Sequence, residues 1–171
     1  VDVSLVDSVV SSLEIINQIY IATGRIPERI GNRYESAYPY DSFKAKDGDV
    51  IIACGNQKLF AALTEYMNLK VLQTDERFMT NDLRVKNHAA LKSIIEEWTM
   101  EHFIDDIVNN LLELGVPASP INTIDRVVND PHISKAREMF VEVEHPIAGK
   151  TILTGDHIKF NVKKSYVRNP A

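Results

Sequence analysis

The sequence predicts an α+β protein: a long N-terminal helix and linker, then a small domain whose mixed sheet combines two hairpins around a helical middle. Three observations predict it. Two segments alternate apolar and polar residues on either side of turn residues, the stretch between them repeats its apolar residues at helical spacing, and the chain opens on a capped apolar stripe. The boundaries read as residues 1–39 for the linker helix and loop, 40–160 for the small α+β domain, and 161–171 for a C-terminal linker tail.

Val1-Asp2-Val3 reads as the end of a strand cut from a longer polypeptide. Ser4, with Asp7 three residues on, is a helix-starting pair, because the side-chain oxygen can accept a free first-turn N–H. One helix is expected from Leu5 to Thr23, stopped by Gly24, which enters the left-handed terminating conformation without a Cβ clash. Its stripe includes Leu5, Val6, Val9, Val10, Leu13 and Ile16, broader than one face of a surface helix needs. Arg25 to Pro39 shows no periodicity, and Pro27 and Gly31 oppose a continuous helix, so it reads as a long loop of the functional or linking kind.

Period two then takes over. Asp41–Ala45 and Asp49–Cys54 flank the turn Lys46-Asp47-Gly48, giving the first hairpin. Gly55-Asn56 opens a helix carrying Leu59, Phe60, Leu63 and Met67, and Asp75–Phe78 forms a short turn. Thr80 or Asn81 starts the next helix, in which Leu91, Ile94, Ile95 and Trp98 form a core ridge. Thr99 is placed to cap a further helix bearing Phe103, Ile107 and Leu111, ended by Gly115. Val116 to Pro120 is extended, and Thr123 and Asp130-Pro131 begin two short helices. Phe140–Glu144 and Lys150–Thr154 alternate around His145–Gly149 as the second hairpin, expected to join the first in one sheet, and His157 to Phe160 reads as an added strand.

Composition narrows the class. The 171 residues are 44% apolar and 25% charged, and 19 Lys and Arg against 24 Asp and Glu leave a net charge of −5. Such a chain can build a core without staples, and its acidic balance argues against nucleic acid as the main partner. The single cysteine, Cys54, removes any internal disulfide framework, which with the lack of a membrane-length apolar run predicts a cytoplasmic protein. Cys54 itself reads as a buried small hydrophobe. No two glycines lie closer than six positions, so neither a dinucleotide fingerprint nor a P-loop is present. The histidines are never closer than twelve, so no local zinc motif exists and no metal ligands are assigned.

Thr23-Gly24-Arg25-Ile26-Pro27-Glu28-Arg29-Ile30-Gly31-Asn32-Arg33 and Tyr38-Pro39-Tyr40-Asp41-Ser42-Phe43 resemble the class III CoA-transferase (CaiB/BaiF) family. Lys46-Asp47-Gly48, Gly55-Asn56, Asp75–Phe78, Gly115–Thr123 and Val141–Pro146 continue the match in order over nearly the whole chain. The resemblance implies a C-terminal small-domain fragment of an enzyme that moves CoA between carboxylic acids through acyl-aspartyl and enzyme-thioester intermediates. It also implies a missing large domain, an interlocked homodimer at full length, and a CoA thioester and a carboxylic acid as substrates rather than a cofactor held by this segment. The catalytic aspartate of such enzymes precedes the segment matching Val1, so no catalytic residue is assigned here. A racemase of α-methylacyl-CoA thioesters, from the same family, and a non-catalytic dimerisation domain remain alternatives.

Gly31, Asn32, Arg33, Tyr34 and Tyr38 are the candidate substrate-side loop, an unpatterned stretch with polar and aromatic side chains together. The plainer reading pairs Arg33 with Glu35 or Asp41 and packs the tyrosines. Where formyl-CoA transferase carries a glycine-rich loop, this chain has Tyr34-Glu35-Ser36-Ala37, which implies a different acid from formate or oxalate. Arg25 and Arg29 are read either as solvated charge or as an anion contact, and the Gly55-Asn56 helix start either as a cap or as an anion site. Leu5 is read as a pocket wall or as plain core, and His145 as structural. The segment is expected to bind CoA weakly or not at all.

Overall fold

The computed structural model describes residues 2–159, which fall into two compact units dividing between Ser119 and Pro120. The α+β class holds. The loop before residue 40 is hydrogen-bonded to the hairpin after it, the Tyr34 N–H donating to Tyr40 O. Val1, Phe160 and the tail 161–171 lie outside the described residues, and Asp2 and Val3 belong to no strand.

The expected first helix is two. Helix α1 (Leu5–Ser12) and helix α2 (Glu14–Thr23) meet at a 69° bend on Leu13. Ser4 does accept the Asp7 N–H, and Gly24 does end α2 with φ 70°, its N–H donating to Tyr20 O. The break has a local cause that an apolar pattern does not display. The Asn17 side-chain amide donates to Val10 O at 2.9 Å, while the Leu13 N–H tightens onto the same carbonyl. The Ser8 and Ser12 hydroxyls also donate to carbonyls four residues back, a habit that bends helices. No residue of either helix is buried, and Leu5 is 85% exposed.

Strand β1 (Tyr40–Ala45) and strand β2 (Gly48–Ala53) form the expected antiparallel hairpin, with Ala45 opposite Gly48. Phe43, Val50 and Ile52 point inward and are fully buried. Helix α3 (Gln57–Tyr66) follows, its first turn capped by Asn56 Oδ1 accepting the Leu59 N–H at 3.0 Å. Helix α4 (Asn81–Lys86) starts on the Thr80 cap, and helix α5 (His88–Thr99) follows after a break at Asn87, whose side chain donates to Arg77 O and Leu83 O. The continuous helix expected from Thr80 to Trp98 is therefore interrupted. Helix α6 (Ile104–Glu113) lays Ile104, Ile107 and Leu111 into the same core, which α5 joins through Leu91 and Ile95. Trp98 packs at the core's margin, stacked on His102 with ring centroids 3.8 Å apart.

Thr99 does not cap α6. Its hydroxyl donates instead to Lys44 O at 2.6 Å, and α6 is capped from the hairpin turn, where Asp47 Oδ1 accepts the Ile104 N–H. This exchange belongs to a larger arrangement that decides the sheet. Along the outer edge of β1, Tyr40 O accepts the Tyr34 N–H and the Ser42 N–H donates to Asp41 Oδ1. Ser42 O accepts from Lys92 Nζ, the Lys44 N–H donates to Glu96 Oε1, Lys44 O accepts from Thr99, and the Lys46 N–H donates to His102 O. Lys92, Glu96 and Thr99 recur at i, i+4 and i+7, one polar stripe of α5 standing where another strand would pair. Beyond β2 lies strand β3 (Ala118–Pro120), with the Ala53 N–H donating to Pro117 O.

Both edges of the first hairpin are thus occupied, and the two hairpins do not share a sheet as expected. Strand β4 (Phe140–His145) and strand β5 (Gly149–Thr154) form a separate two-stranded sheet in the second unit. That unit also contains helix α7 (Ile124–Asn129) and a short wide-turn helix, His132–Ala136, begun by Asp130-Pro131 as expected. None of its described residues is fully buried. His145 has a structural part, its Nδ1 accepting the Ile147 and Ala148 N–H groups across the hairpin turn. His157 to Lys159 forms no strand, and Asp156 Oδ1 accepts the Ile158 N–H in a side-chain turn instead.

Candidate functional site

The bend between α1 and α2 leaves a hollow, and the aperiodic loop folds across it. The resulting cavity, about 630 Å³, is walled by Leu13, Ile15 and Ile16 from the bend and by Pro27, Ile30 and Gly31 from the loop. Arg29, Arg33 and Tyr34 line it as well, together with Glu14, Glu28 and Glu35. Gly31 turns the chain here with φ 71°, a backbone state that a Cβ would strain.

The loop is fastened at several points. Arg25 pairs with Glu35 at 2.6 Å, closing the loop on itself. Asn32 Nδ2 donates to Ser42 Oγ at 3.2 Å, and the Tyr34 and Tyr40 rings lie 5.1 Å apart. Both partners once conceivable for Arg33 are otherwise engaged, since Glu35 holds Arg25 and Asp41, only 6% exposed, holds Lys92 at 2.9 Å. Arg29 and Arg33 make no ion pair among the described residues. Arg29, Arg33 and the Tyr34 ring face a mainly apolar wall, and Glu14 and Glu28 share the lining while Glu35 is held by Arg25, so the cavity presents charges of both signs.

The five candidate loop residues are divided by the fold. Gly31, Arg33 and Tyr34 line the cavity; Asn32 is spent on the tether to Ser42. Tyr38 is fully buried between Phe43 and His88 and presents no surface. Burial, with Asp41 and Glu96 nearby, pushes its hydroxyl well above the ordinary tyrosine range. Sequence reasoning did not find the cavity's other wall, Leu13, Ile15 and Ile16, whose width of stripe was visible but whose bend was not. Leu5 is exposed and lines neither this cavity nor the core.

Beneath the loop sits Arg84, fully buried with no acidic partner among the described residues. Its Nε donates to Tyr38 O at 2.7 Å, its Nη1 to Phe78 O and Gln57 Oε1, and its guanidinium lies 4.2 Å from the Phe60 ring centroid. Burial lowers its pKa, as desolvation disfavours the charged form. Nearby Cys54 is buried, its thiol pushed up to about 12 by desolvation, so it is a poor nucleophile where it stands. Among the described residues no three His, Cys, Asp or Glu side chains converge as a metal site, and no single helix is long and apolar enough to cross a membrane.

Against known proteins, the model of CoA-transferase family III matches residues 1–171. The acetyl-CoA:oxalate CoA-transferase of Acetobacter aceti is 32% identical over 161 residues, covering 94% of this chain and 40% of the relative. The succinyl-CoA:mesaconate CoA-transferase of Haloarcula marismortui is 36% identical over 160 residues, covering 93% of this chain and 39% of the relative. A solved CaiB/BaiF family protein from Brucella suis superposes with a TM-score of 0.78 at 36% identity, over 94% of this chain and 42% of its own. The chain spans about 40% of the length of these relatives. With its whole length matched and its fold shared, this chain belongs to CoA-transferase family III.

Proposed function

We propose that this chain is the small-domain part of an enzyme that moves CoA between carboxylic acids, and that it shapes and closes the substrate side of the active site. The observation that carries the reading is the family match along the entire chain together with a span of about 40% of its relatives. The cavity carrying Arg33 and Tyr34 adds support, because a carboxylate substrate needs a cation and an apolar wall together.

The carboxylate nucleophile is placed by this reading in the remainder of the enzyme. Two of the described acids are already engaged: Asp41 is buried on Lys92, and Asp75 is paired with Arg77. In the reaction, that aspartate attacks the thioester carbonyl and expels CoA thiolate, leaving an acyl-aspartyl anhydride. The thiolate attacks the aspartyl carbonyl, releasing the donor acid and forming an enzyme thioester. The acceptor carboxylate then displaces the thiolate again, and attack of the thiolate on the new acyl carbonyl restores the aspartate. Anhydrides hydrolyse readily, so the covering loop serves by keeping water away. CoA thioester and free acid are the substrates, the enzyme works in the cytoplasm as an interlocked homodimer, and this segment holds no cofactor of its own. The unburied apolar faces of α1 and α2 support a packed partner, whether the large domain or a second subunit.

The test compares the chain alone with the complete gene product, using succinyl-CoA with mesaconate, an acid that is neither formate nor oxalate. Transfer is expected from the complete protein and none from the chain. In the complete protein, Arg33→Ala should raise KM for the acid about tenfold or more, the size of a lost charge-assisted hydrogen bond. Turnover by the chain alone, or unchanged kinetics in the variant, would overturn the proposal.

A further inference from the structure

The loop that lines the cavity ends in Ser36-Ala37-Tyr38, and two side chains one turn apart on α4 hold that end. Asn81 Nδ2 donates to Ser36 O at 2.9 Å, and its Oδ1 accepts the Tyr38 N–H at 3.2 Å. A single amide therefore reads a backbone acceptor and a backbone donor of the same short segment, as a neighbouring strand would. The two partners also fix which end of the amide is oxygen. Arg84, three residues on, adds its Nε bond to Tyr38 O, so both polar groups of Tyr38's backbone are held from α4. On the other side of the loop residues, the Tyr34 N–H donates to Tyr40 O. With Asn32 also tied to Ser42 of β1, Arg33 and Tyr34 sit between that tether and the clasp on α4.

We infer that Asn81, backed by Arg84, is a positioning residue that sets how Arg33 and Tyr34 are presented to the substrate. The inference rests on the proposed function for its chemical consequence but not for the clasp itself. Asn81 touches no cavity wall; it acts through the backbone of 36–38. Losing its two bonds loosens Ser36 and Ala37, while Tyr38 stays held by its burial and by Arg84, and the core is unchanged because the Asn81 side chain contributes nothing to the hydrophobic cluster. A loosened loop orients the acid less well and admits water to reactive acyl intermediates.

The test has two arms, each on Asn81→Ala and on Asn81→Asp, which keeps the shape but sets a carboxylate oxygen against Ser36 O. In the complete gene product, amide hydrogen exchange over 34–38 should quicken about tenfold, while the β1–β2 amides of 43–52 stay protected. In the same protein, KM for mesaconate should rise about tenfold with kcat within twofold, and thioester hydrolysed per transfer should increase. Unchanged exchange over 34–38 overturns the clasp. Faster exchange with unchanged KM and hydrolysis overturns the positioning role, leaving Asn81 merely structural. If the complete protein transfers no CoA to any acid, the function reading fails, and the exchange arm still decides the clasp.

Discussion

Replacing Thr99 by valine isolates one hydrogen bond that ties α5 to the sheet. Valine has the same shape and nearly the same helix propensity, so burial and backbone preference are conserved and only the hydroxyl is removed. Thr99 is fully buried, and its hydroxyl reaches Lys44 O at 2.6 Å on the edge of β1, which has no strand to pair with there. The change leaves that carbonyl facing a methyl group. An acceptor left unsatisfied costs about 1–3 kcal/mol when buried, and because Lys44 is itself an exposed residue the lower half applies, about 1–2 kcal/mol. For a chain of this length each kcal/mol lowers the melting temperature by roughly 2–4 °C, so the expected drop is about 2–8 °C. Urea unfolding followed by far-ultraviolet circular dichroism reads the midpoint shift directly, with the slope unchanged. Lys44 and Lys46 amides, both held from the α5 side, should exchange faster in the variant. A midpoint within about 0.3 kcal/mol of the parent, an interval small beside one hydrogen bond, would refute the picture of α5 as a substitute strand.

Tyr38→Phe should stabilise the chain by about 1 kcal/mol, because the Tyr38 hydroxyl is buried without a hydrogen-bond partner among the described residues. A lower melting temperature in that variant would contradict this. Cys54 should resist thiol-directed alkylation at pH 8 in the folded chain and react on unfolding. Its thiol is neutral up to about 12 when folded but ionises near 9 when unfolded, so its stabilisation is full below pH 9. That contribution should then be lost as pH rises towards 12, and Cys54→Val should lack this component of the alkaline decline.

Much of the fold is legible residue by residue. The turn Lys46-Asp47-Gly48, the Asn56 cap, the Gly24 stop and the second hairpin follow from turn chemistry and periodicity, which are properties of neighbours in sequence. The α1–α2 bend was not legible, because Asn17 competes for Val10 O across a helix whose apolar pattern continues unbroken through Leu13. Thr99 looks like a cap to any local rule, yet its partner is Lys44, fifty-five residues earlier. The candidate site divides in the same way. The loop Gly31–Tyr34 declares itself by lacking a period and by its match to the family, whereas Asn81 and Arg84 carry no local mark, since their partners in the loop lie more than forty residues back.

The sequence by itself determined the class, most of the secondary elements and the family, because helix stops, turns and alternation are short-range consequences of side-chain shape and polarity. Only the tertiary structure decided that the hairpins belong to separate sheets, that Tyr38 is core rather than cavity wall, and that α4 grips the loop. Those outcomes turn on which polar backbone groups find partners once burial has removed water, and a carbonyl of β1 accepts from α5 only after the chain has brought them together.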